Sequence, residues 1–382
     1  MSAVSGGGDA YLLYHSIGHY PEKEADLSRG LNDFAQTWAA FDDGQWGEIL
    51  HKRQQFIDLW EQLIKAPQGT LTTAENVTAA LMSVIGALPA ETLKGKKVLV
   101  AEDGFPSLHF LLSGLSERYE FDLQTVAMRQ GAHWVEDDDI LAEWDENVGL
   151  ALLTWISSTS SHRSDIERLA AHGRKMGSLI GVDITQGAGL LPYDVAKPKA
   201  DFVISTSLKW LCGTPGAGII YVDEGLLPQC EPDLRGWFSQ DNPFSWALDA
   251  FSFAPDARRF DNGTPSCLPA IASLPALQWR MQQDDAAFVA HNRALSQQLC
   301  DGLTSLGLRL ASPLDPDKRG GSLMVSLPQD TPAPEVLEHL RAQQIYMDAR
   351  GQILRMSPGT ITTEAGVSRA LQALGSLLAK AA

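Results

Sequence analysis

A single lysine, Lys209, stands in "STSLKWLCGTPGAG" between two apolar runs, "ADFVIS" before it and "AGIIYV" after it. An unprotonated lysine amine attacks carbonyl carbon and forms an imine. Asp183 closes an earlier apolar run, "LIGVD". Open α/β sheets gather ligand-binding groups beyond the carboxyl ends of their strands. Two such strands would therefore bring this amine and this carboxylate to one sheet edge. Gly213, Gly216 and Gly218 follow the lysine and would let the backbone turn close beneath a flat ligand. Arg355, in "ILRMSPG", carries a planar fork suited to a carboxylate. Each residue type also has a plainer use. An aspartate after a strand caps helices, a lysine there is solvated, and an arginine in a strand forms surface ion pairs.

A carbonyl ligand held by a lysine beside an acid points to pyridoxal 5′-phosphate. That cofactor needs the amine, an acid facing its pyridine nitrogen, an anion cradle and a flat group over the ring. Lys209 and Asp183 supply the first two. "AENVTAALMSVI" offers a helix N-terminus at Asn76, Val77 and Thr78, where free N–H groups and the helix dipole favour an anion. "DGFPSLHF" offers Phe105 as the flat group, with Ser107 near it. Gln186, three residues after Asp183, reaches for the ring oxygen. Taken alone, Asn76 reads as an ordinary N-cap and Phe105 as a core residue.

Alternating elements must position these residues. "LSRGLNDFAQTWAAF" and "GEILHKRQQFIDLWEQLIKA" have helical apolar spacing. "TTAENVTAALMSVIGAL" reads as one capped helix with a polar opening. Strands are expected in "KKVLVAE", "YEFDLQTVAM", "VGLALLTWIS", "SLIGVDIT", "ADFVISTS" and "GAGIIYVDE", with helices in "FPSLHFLLSGLSER" and "DIERLAAHGRKMG". This alternation implies βαβ units and a mostly parallel sheet. Beyond about residue 265 come two long helices, then a small α/β module from "GSLMVSLP", "VLEHLRAQQI" and "ILRMSPG", closed by "EAGVSRALQALGSLLAKA". The domains expected are an N-terminal segment 1–65, a large domain 66–265 and a small domain 266–382.

Composition narrows the partners. The 382-residue chain is 44% hydrophobic and carries a formal charge of −17, with no Lys/Arg cluster. A nucleic-acid groove needs a basic face, so nucleic acid is not expected. No apolar run has the length of a membrane span, and "MSAVSGGGDAYLLYHS" lacks the basic start of a signal peptide. Cys212, Cys230, Cys267 and Cys300 are scattered without ligand spacing. They read as reduced thiols of a cytoplasmic protein, with no metal site. "GTPGAG" reverses the glycine order of a dinucleotide turn and is set aside.

"GVDITQGAGLLPYDVAKPKADFVISTSLKWLCGTPGAGIIYV" resembles the core of the class V aminotransferase superfamily, fold-type I enzymes that use pyridoxal phosphate. "RGWFSQDNPFSWALDAFSFAPDARRFDNGTPSCLPAIASL" is similar to the kynureninase branch, with its Gly-Trp-Phe, Arg-Arg-Phe and Gly-Thr. The likeness spans roughly residues 70 to 365. It implies a large domain on a mostly parallel seven-stranded sheet and a smaller C-terminal α/β domain. It also implies Lys209 and Asp183 as catalytic groups. Asn76, Val77, Phe105, Ser107, Gln186 and Ser207, a serine just ahead of the lysine, would contact the cofactor. Trp237 and Thr264 match positions that reach the neighbouring subunit's phosphate, so a homodimer is implied. Arg355 would hold a substrate α-carboxylate. The N-terminal "YLLYHSIGHYPEK" would lie over the site, leaving Tyr14, His15, His19 and Tyr20 open to substrate contact or to packing.

The chain departs from that branch at three places. Leu108 replaces an aspartate, Leu208 a tyrosine beside the lysine, and Gln186 a histidine. None of these removes the cofactor, but a lost proton donor alters which bond breaks. The activity expected is kynureninase-like C–C cleavage of an amino acid, with transamination, β-elimination or racemisation as the alternative. A non-catalytic binding protein is a third reading, and the intact Lys209–Asp183–Arg355 set speaks against it. No cysteine stands where a desulfurase nucleophile would.

Overall fold

The computed structural model describes residues 8–381; residues 1–7, which belong to the stretch read above as lacking a signal sequence, lie outside it. The elements, in chain order, begin with α1 (Lys23–Trp38), α2 (Gln45–Ile64), β1 (Leu71–Ala74), α3 (Val77–Ile85), α4 (Ala90–Leu93), β2 (Lys97–Ala101), α5 (Pro106–Leu115), β3 (Asp122–Val126) and α6 (Asp137–Ala142). They continue with β4 (Val148–Thr154), α7 (Ile166–Met176), β5 (Leu179–Asp183), β6 (Phe202–Thr206) and β7 (Gly218–Val222). The C-terminal part adds α8 (Cys267–Met281), α9 (Asp285–Ser305), β8 (Arg309–Leu310), β9 (Leu323–Ser326), α10 (Ala333–Arg341), β10 (Asp348–Arg350), β11 (Ile353–Met356) and α11 (Glu364–Ala381).

The larger sheet has seven strands in the order β1-β7-β6-β5-β4-β2-β3. The pairs from β6 to β3 are all parallel. Both faces are buried, which explains the near-continuous apolar runs. Val98, Val100, Leu150, Leu152, Phe202 and Ile204 face α3 and α5. Their alternates Leu99, Ala151, Leu153 and Val203 face the other way, in one cluster with Phe56 and Trp60 of α2 and Leu169 of α7. Gly181 is required where β5 passes β6, because a Cβ there would lie 2.1 Å from the Phe202 ring.

One expectation changes, and the sheet adds one feature. Thr72 and Thr73 do not open a helix: they pair with Ile220 and Ile219 as the edge strand β1, and Asn76 caps α3. β-branched side chains suit a pleated edge, and Arg53 of α2 donates to both threonine hydroxyls. In addition, β7 runs antiparallel to β6. A parallel return needs a crossover element, and the glycine-rich turn after Lys209 contains none.

A second sheet, β10-β11-β9-β8, is antiparallel. Its buried face shares a core with α9, α10 and α11 and with Ala10 and Leu12. Residues 11–13 lie along this sheet: Leu12 N–H donates to Tyr346 O (2.8 Å), and Ser357 N–H to Leu12 O (2.8 Å). The chain then crosses to the lysine turn, where Gly18 N–H donates to Leu208 O at 2.9 Å. No side chain fits at Gly18, since a Cβ would lie 1.8 Å from the Lys209 carbonyl oxygen. α8 falls on the small-domain side of the expected boundary, yet Ala270, Leu274 and Leu277 pack in the large-sheet cluster.

Candidate active site

The carboxyl ends of β4, β5 and β6 set Thr154, Asp183 and Thr206 side by side, with Thr154 opposite Asp183 in register. These residues, the N-termini of α3 and α5 and the turn after β6 enclose a cavity of about 750 Å³. Of the residues named from sequence, Asn76, Val77, Phe105, Ser107, Asp183, Gln186 and Lys209 all line it.

The Lys209 Nζ lies 5.7 Å from the centroid of the Phe105 ring. Burial pushes its pKa down to about 8; the Asp183 charge opposes that shift and the Arg355 charge adds to it. An amine titrating there is partly neutral near physiological pH, as a nucleophile must be. Asp183 is buried, accepts the Thr185 N–H at 2.9 Å, and has its pKa raised by burial. Among the described residues, Asp183 and Lys209 form no ion pair within 4.0 Å with each other or with any other group. A buried carboxylate facing a cavity without a cation is costly. A protonated pyridine nitrogen would relieve that cost.

At α3, the Asn76 side chain accepts the Ala79 N–H (2.9 Å). Among the described residues, the N–H groups of Val77 and Thr78 find no partner in the chain. That is the state of a helix N-terminus ready for an anion. The donor set therefore fits pyridoxal phosphate: free N–H groups for the phosphate, a carboxylate for the ring nitrogen, an amine for the aldehyde and Phe105 for the ring face.

Other residues stand elsewhere. Ser207 does not reach the cavity: it is fully buried, and its Oγ accepts Trp60 Nε1–H at 3.0 Å. It stands just past the end of β6, where its side chain enters the core beside Trp60 while its neighbours Thr206 and Leu208 line the cavity. Trp237 packs edge-on against Phe238, Phe244 and Trp46. Thr264 lines a neighbouring cavity of about 430 Å³ beside Arg53 and Asp261. Glu75, Ala79, Met82 and Gly216 belong to both cavities. Two of the replaced positions also differ. Leu208 lines the cavity, whereas Leu108 is buried in the core beneath α5.

Arg355 is buried and already engaged. Its Nε and Nη2 donate to Asp348 Oδ1 and Oδ2 (2.8 and 2.5 Å), and Nη1 donates to the Ser158 carbonyl at 3.0 Å. Ser158 lines the cavity. Asp348 also accepts His15 Nε2–H at 2.8 Å, and His15 Nδ1 meets Ser357 Oγ. Burial opposes ionisation of Asp348, yet hydrogen bonds from His15 and Arg355 hold its carboxyl well below the usual range. Burial drives the His15 pKa down to about 4 against the pull of Asp348, and Arg355 lowers it further. His15 is therefore a neutral donor at physiological pH. Gln186 Nε2 donates to the His15 carbonyl at 3.2 Å.

Sequence reasoning missed Asp348. Its signal was present: "MDARGQILRM" is a tight hairpin that sets Asp348 opposite Arg355. Of the four N-terminal candidates, His15 joins this network. Tyr14 stacks on Trp210 at 5.5 Å and donates to His19 O, while Tyr20 stacks on Trp279 at 4.7 Å. His19 meets the Tyr20 carbonyl through Nδ1 at 3.0 Å.

Residues 51–370 match the Aminotransferase class-V family, and the chain belongs to it. It is 27% identical to a kynureninase of Deinococcus radiodurans over 89% of this chain and 82% of that protein. It is 25% identical to an uncharacterised aminotransferase of Bacillus subtilis over 90% and 89% of the two chains. A solved structure of the cystine C–S lyase C-DES, a variant with glycine covalently linked to its PLP cofactor, superimposes with a TM-score of 0.86. At 18% identity, that match covers 96% of each chain and defines the fold. The protein is thus a PLP-dependent enzyme of fold type I, kynureninase-like within its superfamily, with pyridoxal 5′-phosphate as its cofactor.

Proposed function

We propose that the enzyme acts on an amino acid by removing its α-proton with Lys209 and that kynureninase-like C–C cleavage of the side chain follows. The observation that carries this reading is the convergence of an unpaired, partly neutral amine and an unpaired buried carboxylate on one cavity. When bound, pyridoxal phosphate supplies a sink for the electron pair left by a bond broken at Cα. The Val77 and Thr78 N–H groups would hold its phosphate, and Phe105, Ser107 and Gln186 would lie against its ring. Asp183, ionised, would face the ring nitrogen and favour its protonated form. Lys209 would anchor the cofactor through Nζ and, when free, would take the substrate Cα proton at Nζ. Arg355 holds the α-carboxylate and so fixes which Cα bond is aligned for cleavage.

A specific observation favours a second reading, in which the same start leads to transamination, β-elimination or racemisation. Leu208 faces the cavity with no hydroxyl, so the proton donor that C–C hydrolysis would take from this position is missing. The two are separated by incubating holoenzyme with kynurenine, 3-hydroxykynurenine, alanine and aspartate. Alanine released from kynurenine supports cleavage; a pyridoxamine spectrum without alanine release supports the second reading.

The reading includes a cytoplasmic homodimer. The four cysteines are free and buried, and among the described residues no helix is long and apolar enough to cross a membrane. Trp38, Trp46, Phe244 and Trp246 are exposed apolar side chains, and the first three adjoin one another or Trp237. A second copy covering them would bring Trp237 and Thr264 towards its own phosphate site. Sedimentation analysis at twice the monomer mass supports this; a monomer that retains full activity contradicts it.

A further inference from the structure

The amino-terminal segment reaches the Arg355 network through His15. Three buried side chains and the half-buried Asp348, from distant parts of the chain, stand in line. Ser322 Oγ and Ser357 Oγ are 2.7 Å apart, Ser357 Oγ meets His15 Nδ1, and His15 Nε2 is 2.8 Å from Asp348 Oδ1. Asp348 then takes the Nε and Nη2 edge of Arg355. The His15 side chain is fully buried. With Nε2–H donating to a carboxylate, Nδ1 is left as the acceptor of the Ser357 hydroxyl, which fixes both tautomer and ring orientation.

The consequence falls on Arg355. A guanidinium has five N–H donors. Asp348 takes two from one edge and the Ser158 carbonyl takes a third. The two left over belong to Nη1 and Nη2, one on each nitrogen, and can meet a single carboxylate end-on. Without the His15 donor, the two-pronged Asp348–Arg355 pair, with Arg350 Nη1 3.6 Å from Asp348 Oδ2, loses the bond that fixes it against the amino-terminal segment. The pair would then be free to shift as a unit.

We propose that His15 is a positioning residue for substrate: through Asp348 it fixes the end-on edge of Arg355 towards an α-carboxylate. This rests on the reading of Arg355 as the carboxylate site. A displacement of about 1 Å in a positioning group is enough to cost a large factor in productive binding.

The test titrates holoenzyme, by its visible spectrum, with L-alanine and with ethylamine, which lacks the carboxylate. His15→Ala should raise the apparent Kd for L-alanine roughly tenfold. It should leave the cofactor absorbance and the ethylamine response unchanged. His15→Gln, which keeps an N–H donor, should restore most of the loss. Ser357→Ala, which frees the ring without removing it, should shift the L-alanine value in the same direction by less, and it serves if His15→Ala fails to fold. Equal changes for L-alanine and ethylamine, no change for L-alanine, or a Gln variant as weak as the Ala variant would each overturn the inference. Failure of the underlying reading looks different: Arg355→Ala would then leave L-alanine binding intact, or the wild type would not distinguish the two ligands.

Discussion

The two halves of the site are built on opposite plans: the large-sheet half lines the cavity, and the small-sheet half meets it through the Ser158 carbonyl that Arg355 holds. On the large-sheet side, Lys209, Asp183 and the first N–H groups of α3 are polar, partly or wholly buried and, among the described residues, without charged partners. On the small-sheet side, Arg355, Asp348, His15 and Ser357 satisfy one another. An unpartnered buried group is a cost that only a ligand removes, so the first half is shaped for a group bound for the enzyme's lifetime. The second half is already stable, with one edge of one guanidinium to spare, which suits a substrate that must come and go.

The predictions probe that division from the largest effect downward. Lys209→Ala should lower turnover by about 10²–10⁴-fold or more, since it removes both anchor and base. It should also abolish the visible band of lysine-bound cofactor; retention of that band would break the first half of the comparison. Asp183→Asn should keep the cofactor and lower kcat by roughly 10²-fold, as expected for a charge aimed at the developing electron sink. A change confined to KM would count against its role. Arg355→Ala should instead act on KM, raising it by roughly one to two orders of magnitude for loss of a charge-assisted bidentate contact.

A pH series sharpens the first half further. Lys209 has its folded pKa lowered to about 8, so its neutral, reactive form grows as pH rises through that value. Cofactor uptake by apoenzyme, followed by stopped-flow absorbance, should speed up between about pH 7 and 9 and then level off. A rate that falls over that range contradicts the assignment. The smallest effect is expected at Ser207. Ser207→Ala leaves the Trp60 Nε1–H without its acceptor and should cost about 1–3 kcal/mol of stability by denaturant melting. Cofactor absorbance per folded molecule should be unchanged.

The same division explains what the sequence made legible. Lys209, Asp183, Asn76 and Phe105 each sit at the end of a strand or the start of a helix whose period is plain, so the element itself delivers the side chain. Ser207 is tied to Trp60 in the core and not to the cavity, because the chain leaves β6 at Thr206 and the path of the turn beyond it is not readable from a motif. The strand β1 was hidden by two threonines that read as polar, though their hydroxyls are tied to Arg53 and Asp261 in the interior. The pairing of His15 with Asp348 was illegible for a different reason. His15 lies at the start of the chain and Asp348 near its end, and no local pattern encodes a contact across that separation. Only the Asp348–Arg355 half of the network, opposed across a hairpin, left a trace in sequence spacing.

The central claim is that Lys209 carries the cofactor. Reducing holoenzyme with borohydride, digesting it and locating the cofactor mass by peptide sequencing tests this most directly. The added mass is predicted on the peptide containing "STSLKWLCG", at Lys209 alone. Mass on another lysine, or on none, contradicts the account.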